Sequence, residues 1–385
     1  MGNPCDVQEL NEERLVALAK DQEAIAVDPS SAKTRKRYYY MDALNVIACF
    51  AVIVLHCSEG AFFNEGGPFW RYCVAAQSVF MFAVPIFFMI SGANLLGYRS
   101  RYSTREFFKK RFGRVLSVFV GCSVLLYVLQ CFPIEILGCG WRQPSLRDFF
   151  VSLIANGVDQ IYWFFYAIIG LYLVTPIFSK IADDKTLLGY AIVICAITSI
   201  VFPLVERYQG GYDLFSFFAY PYLSSWLLYY LLGYYLNTHL ERRVSFVILV
   251  LVMVCSVAFM FGMTVHTNDV AREFAGEAVK YDSFYANAMS LPGLTLSSAL
   301  FVVGRQLNGP IGKLKCYPLI KEMSALSLGI YAIHMEVLIA IERCMGDGVK
   351  DSVFLRSIAI YLITALIVWL YRVVKKRVKA AVRPE

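Results

Sequence analysis

Asp42, Asn45, Cys49, His56 and Glu59 fall in or just after one apolar run. On a helix of 3.6 residues per turn they lie within about 100° of one another, a polar stripe down one face. Hydrocarbon does not tolerate such a stripe, so it must face the interior of a bundle or a cavity. His56 is the group there suited to taking a proton from a hydroxyl, because imidazole titrates near neutrality. The same histidine could equally bond a neighbouring helix and serve only to hold the bundle together. Glu59, one turn on, either orients the imidazole ring or stands as an exposed loop carboxylate.

A second chemical signal is charge. Tyr98–Arg114 holds Arg99, Arg101, Arg105, Lys109, Lys110, Arg111 and Arg114 against one acid, Glu106. Arg111 and Arg114 are spaced i, i+3, so they share a helix face. Two guanidiniums so placed can grip a phosphate through paired N–H bonds. Basic loops beside membrane spans look alike without any ligand. Ser91 and Gly92 are small enough to let helices approach closely. His334 and Glu336 are ionisable groups inside an apolar run, two residues apart and therefore on different faces. Each is a site candidate or half of a structural pair. There is no P-loop, GxSxG, HExxH or dinucleotide fingerprint. The eleven cysteines form no CxxC or zinc spacing, so no metal is expected; Cys131 and Cys139 could bridge across a loop.

These groups need a membrane bundle to position them. Of 385 residues, 58% are hydrophobic and 17% charged, with mean hydropathy +0.56. A soluble chain carries about a quarter charged residues, so the surplus apolar surface must face lipid. The fold class expected is an all-α integral membrane protein of about ten transmembrane helices. Runs near the ~20 residues that cross ~30 Å of hydrocarbon fall at about 41–58, 73–97, 115–134, 161–179, 187–204, 221–237, 244–264, 285–305, 324–342 and 353–373. Leu146–Val158 alternates apolar and polar residues and reads as an interfacial amphipathic segment. Loop charge is lopsided, 25 Lys and Arg on one side against 9 on the other. The basic side is expected to be cytoplasmic, with both termini there. The net charge of +7 is thereby explained by the bilayer rather than by nucleic acid. Residues 1–37 read as a soluble cytoplasmic tail, 38–375 as the membrane domain, and 376–385 as a basic cytoplasmic tail.

Taken in order along the spans, the pieces resemble the acyltransferase 3 family of membrane O-acyltransferases over most of 38–373. They are Tyr40-Met-Asp42-Ala-Leu44 with His56; Phe87-Phe-Met-Ile-Ser91-Gly92; Arg111-Phe-Gly-Arg114; Trp163-Phe-Phe-Tyr166 through Gly170-Leu-Tyr-Leu and Pro176; Leu232-Gly233-Tyr234-Tyr235; and Gly329-Ile-Tyr331-Ala-Ile-His334. The resemblance implies transfer of an acetyl or other short acyl group from cytoplasmic acyl-CoA to a hydroxyl of a cell-envelope glycan or lipid-linked acceptor at the plasma membrane. It implies catalysis by His56; Asp42, Asn45 and Glu336 are the further candidates for that chemistry. It implies CoA held by Arg111 and Arg114, with Lys110, Ser91 and Trp163 beside it. Glu59, Tyr166 and His334 would face the acceptor. A homo-oligomer is compatible with all of this. The family usually carries arginine eleven residues before the histidine, where this chain has Asn45. Asparagine donates a hydrogen bond but supplies no charge. A small-molecule permease of the same fold, without acyl transfer, is the rival expectation; a regulatory partner in envelope assembly is the third.

Overall fold

A computed structural model describes residues 38–140, 142–209, 221–275, 280–345 and 352–382. The expected tail at 1–37 lies outside the described residues. The structure is 81% helical, with no strand among the described residues. The main helices are α1 (Tyr39–Cys57), α2 (Gly67–Phe80), α3 (Ala83–Leu95), α4 (Gly113–Gln130), α5 (Leu146–Ile154), α6 (Trp163–Phe178), α7 (Lys185–Ala196), α8 (Pro221–Thr238), α9 (Phe246–Ala275), α10 (Leu291–Gln306), α11 (Tyr317–Met345) and α12 (Val353–Val382).

Among the described residues, eight helical segments are long and apolar enough to cross a membrane. Two of the ten expected spans fall short of that standard. α10 starts later than the apolar run because Ser290 caps it, its hydroxyl accepting from Gly293 N at 3.1 Å, with Pro292 in its first turn. The helix is left with 16 residues. α8 has 18 residues, and it packs at the centre of the bundle. The second span is broken between α2 and α3 around Met81-Phe82. Pro85 explains the break, since it cannot donate to the carbonyl four residues back.

α1 is the central post, with Tyr40, Ala48, Ala51 and Val54 wholly buried. It packs against α2, α3, α11 and α12. α9 is the opposite case: Val247, Ile248, Leu251 and Val254 are exposed on it. Apolar side chains so exposed along a long helix belong against lipid. α3 and α8 cross in backbone contact. A Cβ added at Gly92 would stand 1.7 Å from the Tyr230 carbonyl oxygen, and one at Gly233 would stand 2.1 Å from that of Met89.

The segment at 146–158 folds as the short helix α5, with Leu146, Phe150, Val151 and Ile154 exposed. That is the amphipathic pattern of a helix lying in an interface. α12 runs on to Val382, through most of the segment expected as a separate basic tail. Cys131 and Cys139 are free thiols, so the suggested bridge is absent. Their Sγ atoms contact the carbonyls of Tyr127 and Leu137 instead.

Candidate functional site

The ionisable groups gather at two ends of the bundle. At the first, His56 occupies the last turn of α1, where a helix C-terminus favours positive charge. The chain then turns tightly through Glu59–Phe63. Ser58 fixes that turn by donating to Val54 O at 2.8 Å, while Gln77 donates to Leu55 O at 2.7 Å. Trp70 Nε1 donates to Ala61 O at 2.9 Å. The turn brings Glu59 back onto the histidine, where Glu59 Oε1 accepts from His56 Nδ1 at 2.7 Å. The contact fixes the ring through Nδ1 and leaves Nε2 turned away from Glu59. Glu59, expected either to face an acceptor or to orient the ring, lies against the imidazole.

His334 faces His56 across the bundle, with ring centroids 5.2 Å apart. It is fully buried. Its Nδ1 donates to Tyr331 O at 2.7 Å, and its Nε2 has no partner. The hydroxyls of Tyr162 and Tyr331 reach the carbonyls of Ala332 and Ile161, tying α11 to the start of α6. That tie delivers Asp159, which caps the turn by accepting from Ile161 N at 3.1 Å. The Asp159 carboxyl lies within hydrogen-bond reach of Glu336 and within electrostatic reach of His56. Burial pushes it above the usual carboxylate range; the Ile161 N–H, His56 and Glu336 offset this in part.

Sequence reasoning missed Asp159. A signal was present, since it is the one acid between Asp148 and Asp183 and it immediately precedes an aromatic span. His334 and Glu336 do diverge, as their spacing predicts. One meets His56 and the other meets Asp159, so both still belong to this end.

The other candidates on α1 are spent on packing. Asp42 accepts from the hydroxyls of Tyr317 and Ser324, the latter at 2.9 Å. Asn45 Nδ2 donates to Ser324 O at 2.9 Å and to its Oγ at 3.0 Å. Asn45 also stands about 16 Å along α1 from His56, at 1.5 Å per residue. These two residues pin α1 to α11 and lie far from the histidine. Tyr166 donates to Leu153 O, and Trp163 stacks on Trp226 with centroids 5.2 Å apart.

The second end holds the basic cluster. Phe108–Phe112 forms a π-helical turn leading into α4. The i, i+3 rule for an α-helix therefore does not set the geometry of Arg111 and Arg114. Both nevertheless bear electrostatically on the Tyr172 hydroxyl, which Ser91 also approaches. Neither guanidinium has a carboxylate partner among the described residues. Lys110 differs: Glu106 pairs with it and the Tyr102 ring lies 5.4 Å away. Arg99 is held by Ser179 Oγ at 2.7 Å and Pro176 O at 3.0 Å. Two free guanidiniums beside hydroxyls form a ready anion site, to which Lys110 adds little while paired.

A family model described as an acyltransferase domain matches residues 38–373. No curated protein and no solved structure matches the chain.

Proposed function

The chain belongs to the acyltransferase family whose model covers it, a multi-pass membrane acyltransferase, and from that premise we propose the following reaction. An acetyl or other short acyl group passes from acyl-CoA to a hydroxyl of a cell-envelope glycan or glycolipid. The observation that carries the reading is the His56–Glu59 pair, a base with its ring fixed and Nε2 left open. His56 Nε2 takes the proton of the acceptor hydroxyl as its oxygen attacks the thioester carbonyl. The carbonyl carbon–sulfur bond breaks, the ester forms, and the CoA thiolate leaves and recovers the proton from His56. Glu59 holds the imidazolium in place meanwhile.

Arg111 and Arg114 bind the CoA phosphates. The orientation that follows puts the arginine end and both termini in the cytoplasm and the His56 end outward, across the plasma membrane. Along α4, Arg114 and Leu126, which lies at the level of Glu336, are separated by about 18 Å at 1.5 Å per residue. The pantetheine arm must reach between helices over that depth. One observation favours the permease alternative: Asn45, where the family carries a cation, is bonded to Ser324 and offers no charge.

The test is acetyl-CoA binding to the purified protein by calorimetry, beside an Arg111→Ala/Arg114→Ala variant. Wild type should bind, and the variant should bind at least about tenfold more weakly, since each charge-assisted pair contributes ~1.5–3 kcal/mol. A folded wild type that ignores acetyl-CoA would remove the donor assignment and leave the permease.

A further inference from the structure

Two cavities meet at the His56 end. The first is an open apolar groove of about 470 Å³ between α4, α11 and α12, walled by residues such as Leu125, Ile333, Val337, Ile363 and Ile367. Leu125, Ile363 and Ile367 are exposed, so the groove opens where the bundle meets lipid. Its wall on α11 runs from Ile333 to Met345. That is about 18 Å at 1.5 Å per residue, a little over half the ~30 Å of a hydrocarbon core. The groove is one leaflet deep. It does not cross the membrane.

The second cavity, of about 390 Å³, sets Gln130, Cys139, Asp159, Glu336 and Arg343 among apolar residues such as Leu126, Met335 and Ile339. The two share Leu126, Leu129, Leu137 and Glu336 as common wall. Two buried acceptors in the second cavity, Gln130 Oε1 and Glu336 Oε2, have no hydrogen-bond partner. Buried acceptors of this kind call for donors. Arg343 stands at the rim, with one N–H on Glu135 O at 3.0 Å and others to spare. Asp159, on the cavity wall, feels His56 electrostatically.

Resting on the acyltransferase reading above, we infer that the acceptor is an amphiphile that enters sideways from the bilayer. Its hydrocarbon chain lies in the groove, and its polyhydroxyl head fills the second cavity beside Asp159 and Glu336. Hydroxyls both donate and accept, which suits two orphan carbonyl-type acceptors next to a guanidinium. A bare hydrocarbon satisfies none of them, and a free sugar leaves the groove to annular lipid.

Two native thiols report on the two halves. Cys344 lines the groove and Cys139 the second cavity, and both are free. The full chain in phosphatidylcholine nanodiscs is alkylated with N-ethylmaleimide, and each cysteine is followed by peptide mass spectrometry. Dodecyl maltoside should slow both thiols at least about fivefold, the protection given by a ligand several times above its Kd. Maltose alone should slow neither, and Cys316, exposed at the far end of α11, should not respond. Dodecylphosphocholine should leave Cys139 unprotected. Ile363→Trp fills the groove and should abolish protection by dodecyl maltoside. Gln130→Leu tests the head alone and should weaken protection of Cys139 by several-fold. Equal protection by dodecylphosphocholine would mean annular lipid only and would overturn the inference, as would no protection by dodecyl maltoside. Acetyl-CoA binding by the same samples separates the two readings. Binding without protection sinks the amphiphile, whereas loss of binding in wild type sinks the donor site.

Discussion

Replacing Gly92 by alanine tests the packing on which both ends depend. In the structure its Cβ would lie 1.7 Å from the Tyr230 carbonyl oxygen, 2.6 Å from its carbonyl carbon and 3.1 Å from its Cα. Ordinary contact begins at 3.4 Å, so α3 and α8 would have to part locally by about 1.7 Å. The obstructing atoms are backbone, so no side chain can swing aside. Gly233 sits in the same crossing, its added Cβ 2.1 Å from Met89 O. Overpacking of this kind costs about 1–3 kcal/mol and occasionally more, and the rigid contact argues for the upper end. Two further glycines provide the comparison. Gly121 in α4 and Gly262 in α9 have nothing within 4 Å of an added Cβ. Alanine there removes only the helix penalty of glycine, worth about 1 kcal/mol in water, and should be neutral or stabilising. Thermal unfolding of the purified protein, followed by intrinsic fluorescence in one detergent, gives the ranking. Gly92→Ala should melt well below wild type, and Gly121→Ala and Gly262→Ala at or above it. If Gly92→Ala melts with Gly262→Ala, the close crossing is wrong.

Removing the base should matter more than removing its orienting partner. His56→Ala should lower acyl transfer by about 10²–10⁴-fold, the usual contribution of a general base, in a radiolabelled acetyl-transfer assay in membranes. Glu59→Gln should cost far less, because its side chain is 48% exposed and water can replace it; equal losses would refute the assigned roles. Arg356 is 5% exposed, bonded to Cys57 O at the end of α1 and to Glu342 at 2.9 Å. Arg356→Ala strands those acceptors and should destabilise by about 3 kcal/mol, read as a lowered melting temperature with acetyl-CoA affinity retained. Asp159 has its carboxyl pKa raised by burial. The folded state then binds the proton more tightly than the unfolded chain, so this contribution is full at acid pH and lost as pH rises through the folded value. Asp159→Asn keeps an oxygen for Ile161 N and should flatten the fall in melting temperature between acid and neutral pH; an unchanged slope would place the titration elsewhere.

Some of this molecule could be read from composition along the chain. Hydropathy located the apolar helices because burial in lipid is a demand on every residue of a span. Alternation at 146–158 located α5, whose Leu146 and Ile154 are indeed exposed. The polar stripe marked α1 as inward-facing, and α1 proved to be the central post. Local rules then ran out. Pro85 divides the second span, and Ser290 shortens α10. Both signals were in the sequence, but an average over a window hides them. The same limit applied to Lys110 beside Arg111, where charge alone could not show that Glu106 holds one and leaves the other free.

By itself the sequence determined that the chain is a membrane bundle, and its ordered motifs told which family it joins. It also determined that His56 must face inward. Only the tertiary structure decided what His56 meets, because the rotation of one helix against another is set by packing at crossings such as Gly92 on Tyr230 and not by local periodicity. It set Asn45 on Ser324, turned His334 toward His56, and brought Asp159 from 177 residues away in the chain to Glu336. Contacts between distant segments carry no local signature, and for that reason the site's second carboxylate appeared only once the helices were packed.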